Sequence, residues 1–180
     1  MGEAPGLWSG LVLKVTRENL ATMAEVLGWR RQGAVRKITV RAVSEQLLEA
    51  VARHEGLRVM DFAGILMGRT DLKCAGAGLL ARVVVGLEEV DISYTRMTRR
   101  QAHVVVLMLS EGDTKLKKIY LTGTEKVLSL LEPNHISRAV TKLEHVVICD
   151  TGITDQQTAA ILAAVSSASS KTKTLEEAEN

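Results

Sequence analysis

The stretch LEEVDISYTRM, residues 87–97, carries apolar side chains at Leu87, Val90, Ile92 and Met97, with Thr95 between the last two. That spacing fits neither the alternation of a strand throughout nor the period of a helix. The two-residue step from Val90 to Ile92 is strand-like: both side chains go to one face and Asp91 to the other. A short strand followed by a turn and a further apolar anchor is one unit of something larger, so copies elsewhere in the chain decide the reading.

Copies are present. LKKIYLTGTEKV places Leu116, Ile119, Leu121, Thr124 and Val127 in the same frame, with one extra residue before the last anchor, and LEHVVICDTGI repeats it at Leu143, Val146, Ile148, Thr151 and Ile153. Upstream, LRVMDFAGILM gives Leu57, Met60, Phe62, Ile65 and Met67, and VRKITVRAV gives Val35, Ile38, Val40 and Val43. WSGLVLKVTREN supplies a weaker copy at Trp8, Leu11, Leu13 and Thr16. Copies start near 8, 35, 57, 87, 116 and 143, so successive starts differ by 27, 22, 30, 29 and 27 residues.

After each strand the spacing turns helical, as in TRRQAHVVVLML and TDQQTAAILAAV. Thr154 with Gln157 matches the capping box, in which a hydroxyl satisfies an early helix amide and a side chain three residues on reaches back. Ser44 and Thr98 are the expected N-caps of the second and fourth helices. One strand and one helix of this size cannot bury their apolar faces alone, whereas stacked copies share a continuous core. Leu87, Val90, Ile92 and Met97 are therefore expected to point inward.

The frame resembles that of the leucine-rich repeats, L-x-x-L-x-L-x-x-N/T/C-x-L, over roughly residues 7–165. The repeat length resembles the ribonuclease-inhibitor subclass, which includes the C-terminal domains of NOD-like receptors. Thr16, Thr95, Thr124 and Thr151 stand where the family has Asn, with a hydroxyl that can bond the turning backbone. The second copy is shorter than the family length, and the third helical region, GRTDLKCAGAGLLARVVVG, is glycine-rich. The resemblance implies an α/β solenoid, a right-handed horseshoe of about six repeats over residues 1–165, with a parallel sheet on the concave face and helices on the convex face.

In that frame the residues flanking each two-residue step face outward. They are Gly10, Val12 and Lys14; Lys37, Thr39 and Arg41; Val59, Asp61 and Ala63; Glu89, Asp91 and Ser93; Lys118, Tyr120 and Thr122; His145, Val147 and Cys149. Charge is graded along them, basic first, acidic in the middle, mixed later, which suits a protein ligand better than a uniform polyanion. The candidate binding residues are Lys37, Arg41, Asp61, Glu89, Asp91, Lys118, Tyr120 and His145, with Tyr120 the expected hot spot because aromatic side chains dominate interface energetics.

Chemistry has little support elsewhere. GAGLLA, residues 76–81, matches the G-x-G-x-x-A fingerprint, but RTDLK before it does not read as a buried strand, so no nucleotide is expected. His54, His103, His135 and His145 fall in different repeats without metal-ligand spacing. No nucleophile elbow occurs, so neither catalysis, a cofactor nor a metal is expected. The basic run WRRQGAVRK, with Trp29, Arg30, Arg31, Arg36 and Lys37, reads as a solvated helix end and turn.

The bulk numbers agree with one soluble globular domain: 180 residues, 46% hydrophobic, 24% charged, net charge +2 and pI near 8.6. That charge is too small for a dedicated nucleic-acid binder. Cys74 and Cys149 are expected to be free thiols in a reducing, cytoplasmic setting. The start MGEAPGLWSGLVLK has an acid where a signal peptide has basic residues, and the longest apolar run, HVVVLML, is far below a membrane span, so no membrane is expected as a partner. SSASSKTKTLEEAEN, residues 166–180, reads as a disordered polar tail. Without evident polar caps, self-association through a solenoid end is a further expectation.

The function these readings imply is a non-catalytic protein-recognition scaffold. The resemblance to NOD-like receptors implies ligand sensing in innate immunity; a cytosolic adaptor regulating a small GTPase or actin is the alternative, and an enzyme with a loop-borne site a more distant one.

Overall fold

The computed structural model describes residues 11–28, 35–65, 74–167 and 169–176. Trp8, Gly10, Trp29, Arg30, Arg31 and Met67 of the sequence reading lie outside them, as do 177–180 at the end of the expected tail and, within assigned elements, the side chains of Leu11, Cys74 and Val127.

Seven parallel strands form one sheet in strictly sequential order: β1 (Leu11–Val15), β2 (Val35–Val40), β3 (Val59–Asp61), β4 (Glu89–Asp91), β5 (Lys118–Tyr120), β6 (His145–Val147) and β7 (Thr174–Glu176). Each connection carries a helix: α1 (Leu20–Gly28), α2 (Glu45–Ala52), α3 (Cys74–Gly86), α4 (Arg99–Glu111), α5 (Pro133–Thr141, preceded by a 3-10 helix Glu125–Leu130) and α6 (Asp155–Val165). Parallel neighbours need such crossovers because the chain must return to its starting edge. Consecutive helices pack on one another from α1 to α6, forming a single layer against one face of the sheet.

Register follows the repeat. Ile38, Met60, Val90, Ile119 and Val146 stand opposite one another on successive strands, and each is at most 2% exposed. Val40, Phe62, Ile92, Leu121 and Ile148 form a second buried layer, and Val35, Leu57, Leu87, Leu116 and Leu143 a third. Burial of each such side chain contributes about 1.5–3 kcal/mol, and since every layer runs through all the units, no unit holds its share alone. Met97 closes the fourth unit, as expected, and in the fifth Leu128 is the buried anchor.

The helix starts follow the sequence signals. Ser44 accepts from the Leu47 amide at 3.1 Å. Thr98 with Gln101 and Thr154 with Gln157 both form complete capping boxes. Gln157 does more than cap: its buried amide donates to the carbonyls of Leu128 and Leu131 at 2.8 and 2.7 Å, tying α6 to the 3-10 helix of the preceding unit.

Four expectations need correction. The first copy is shifted by two residues: Leu13 pairs with Ile38 and Val15 with Val40, after an irregularity between Leu11 and Val12. Leu11, Leu13 and Val15 alternate, and a two-residue slip keeps every side chain on its own face, so polarity alone cannot fix the choice. Asn19, rather than Thr16, binds the turning backbone there, accepting from the Thr16 amide and donating to the Lys14 carbonyl. The threonine turns are not uniform either. Thr95 donates to Ile92 O at 2.7 Å, whereas the buried hydroxyls of Thr124 and Thr151 have no partner among the described residues.

The fourth correction concerns the tail. Residues 174–176 are strand β7, in register with β6. Backbone amides of Lys173 and Thr174 donate to Glu144 O, Thr172 Oγ1 donates to Val140 O at 2.9 Å, and Leu175 packs on the core. One leucine suffices because β7 buries only one face position, opposite Val146. GAGLLA lies inside α3, which removes the turn geometry that a nucleotide fingerprint needs.

Candidate functional site: the open face of the sheet

With all helices on one side, the other face of the sheet presents two outward rows. One runs Val12, Lys37, Val59, Glu89, Lys118, His145, Thr174; the next runs Lys14, Thr39, Asp61, Asp91, Tyr120, Val147, Glu176. The ladder continues past the strands, since Phe62 N donates to Asp91 O, Ile92 N to Tyr120 O and Leu121 N to Val147 O. All eight candidate binding residues lie on this face.

They do not form one cluster. Arg41 and Asp61 are 3.6 Å apart, and Arg41 also donates to the carbonyls of Val40 and Ala63. Lys118 and Glu89 form a second pair at 3.6 Å. Tyr120 and His145 bring their ring centroids to 5.5 Å at a tilt of 58°. Lys37 is exposed and has no ion pair among the described residues. It lies four strands from His145, roughly 19 Å at about 4.8 Å per strand.

Two carboxylates are partly occupied with the backbone. Asp61 accepts from the Ala63 amide and Asp91 from the Ser93 amide, each at 2.9 Å. This side-chain turn bends the chain out of the strand. Asp91 has no cationic partner among the described residues. Its neighbours in the row are Asp61 and Tyr120.

Four residues beyond each inward strand centre the backbone enters the left-handed region: Gly64 at φ 77°, Tyr94 at 55°, Gly123 at 62° and Asp150 at 52°. Glycine tolerates this at no steric cost; tyrosine does not. Tyr94 is nevertheless 62% exposed. Its ring lies over Gly123, so close that a Cβ on the glycine would stand 2.5 Å from two ring carbons. Sequence reasoning missed Tyr94. The signal was the alignment of FAGI, ISYT and LTGT, where tyrosine falls on a glycine position.

Titration behaviour departs from the ordinary at two places off this face. A hydrogen bond from Lys173 at 2.8 Å, with its charge, holds the Glu144 carboxyl below its usual range. Burial pushes the His54 imidazole down; its Nδ1 accepts from the Leu57 amide at 3.1 Å. His54 borders a cavity of about 180 Å³ with Arg82 and Lys115, and a groove of about 410 Å³ runs between α1 and α2. Among the described residues no three His, Cys, Asp or Glu side chains gather as metal ligands. No helix among them is long and apolar enough to cross a membrane. Cys149 is a free thiol on the open face.

The chain matches no family model, and no curated protein matches it.

Proposed function

We propose that this chain is a non-catalytic recognition scaffold of the leucine-rich-repeat type that binds a protein ligand on the open face of its sheet. The observation that carries the reading is the unbroken seven-strand ladder, which devotes one face to a shared core and leaves the other lined with paired charges, an aromatic pair and carboxylates without an ion pair among the described residues. Such a surface is wide, shallow and electrostatically mixed, which favours a folded partner or peptide over a small molecule. A sensing role of the NOD-like-receptor kind, in the cytoplasm, is the biological setting we favour, on the repeat frame and the sparse cysteines.

Position-specific photo-crosslinking tests it. A photoreactive side chain placed at Lys37 or Lys118 is expected to trap a partner protein, while the same group at Arg82 or Arg100, on α3 and α4, is not. Trapping confined to the helix positions overturns the reading.

A further inference from the structure

Both tyrosines of the chain stand on the open face, in its β4–β6 half, beside carboxylates that have no ion pair among the described residues. Tyr120 is the direct cross-strand partner of Asp91. Tyr94 lies three residues beyond Asp91 and two ladder rungs from Asp150, about 10 Å across. Ladder bonds fix this placement: Tyr94 N donates to Thr122 O at 2.7 Å and Gly123 N to Cys149 O at 2.8 Å. Gly123 lies against the Cδ1–Cε1 side of the Tyr94 ring, and the residue is still 62% exposed.

The backbone of Tyr94 adopts a conformation unfavourable for its side chain, at a position two sister units fill with glycine. Strain of this kind persists where the surroundings hold it, and it collects at binding sites. The remaining face charges sharpen the chemistry. Glu89 is compensated by Lys118, but Asp91 and Asp150 are not paired among the described residues, so this half of the face attracts cations and repels phosphates. An aromatic face beside carboxylates is the arrangement that holds a guanidinium or ammonium group, by cation–π attraction and ion pairing together.

We infer that Tyr94, Tyr120, Asp91 and Asp150 form a receptor for an arginine or lysine side chain carried by a protein partner. This rests on the reading that the open face is the binding surface and assigns the chemistry of its β4–β6 half.

The test is selection of random displayed peptides on the full chain, followed by binding measurements with the synthesised winners. Enriched peptides are expected to share a basic residue whose neutral counterpart, citrulline for arginine or acetyl-lysine for lysine, weakens binding. Tyr94→Gly is expected to weaken it roughly 2- to 30-fold, the range of one cation–π contact. Asp91→Asn, which keeps an acceptor for Ser93, and Asp150→Asn, which tolerates the left-handed backbone, should each weaken it too. Tyr94→Gly should leave the melting temperature unchanged or raised, which a merely structural tyrosine would not do. Peptides without a basic residue, or binding indifferent to these three changes, overturn the inference. If such binding is instead lost on Lys37→Glu, the open-face reading stands and only the cation receptor falls. Binding insensitive to every change on this face removes both.

Discussion

The ring of Tyr94 rests directly on Gly123 of the next unit, and each residue sits in the left-handed backbone region. Gly123→Ala therefore meets two obstacles at once: a φ of 62° that a Cβ disfavours and a ring 2.5 Å from where that Cβ would stand. Chemical denaturation should show a loss of about 1–3 kcal/mol. Paired with Tyr94→Gly the loss should shrink, because the ring clash is gone.

Gln157 and Gln101 occupy the same cap position but do different work. Gln101→Ala removes a capping box and should destabilise by about 1 kcal/mol. Gln157→Ala also strands the buried carbonyl of Leu131 and takes one of two donors from that of Leu128, which keeps the Leu131 amide. Its loss should reach roughly 2–4 kcal/mol, since each unsatisfied buried group costs about 1–3. Equal losses in the two variants would contradict the bridging role.

The three buried threonines separate cleanly. Thr95→Val deletes a hydroxyl that bonds Ile92 O and should cost about 1 kcal/mol. Thr124→Val and Thr151→Val delete hydroxyls with no partner among the described residues, so they should be neutral or stabilising by up to about 1–2 kcal/mol. Melting temperatures of the three variants decide it.

His54 imposes a pH dependence. Burial holds its folded pKa below the ordinary histidine value of 6.5, so the neutral ring is favoured in the folded state. Stability from this residue is fully present above 6.5 and declines as pH falls through the folded value, because the unfolded chain then binds the proton more readily. His54→Asn can keep an acceptor for Leu57 N without titrating. Denaturation curves of the wild type should shift to lower denaturant as pH falls through that window, and those of the variant should shift less.

Much of the fold was legible because a step of two inside a near-constant period leaves few alternatives: Val90, Ile119 and Val146 lie side by side as the spacing required. What escaped is instructive. The offset of β1 was hidden because alternation is blind to a two-residue slip. β7 was hidden because its single inward residue, Leu175, gives no periodicity to count. The site was legible as a face but not as contacts. Lys118 with Glu89 and Arg41 with Asp61 depend on which side chains stand on adjacent strands, and Tyr94 depends on a backbone angle that only comparison with Gly64 and Gly123 hints at.

The strictly sequential strand order has a kinetic consequence. Every strand pairs only with those immediately before and after it in the chain, so no contact in the sheet waits for distant segments to find each other, and loop-closure penalties stay small. Assembly can begin in any well-packed pair of units and spread outward, and mechanical or thermal loss should peel the array from its ends one layer at a time. Amides of β4 and β5 should accordingly be the last to exchange with deuterium.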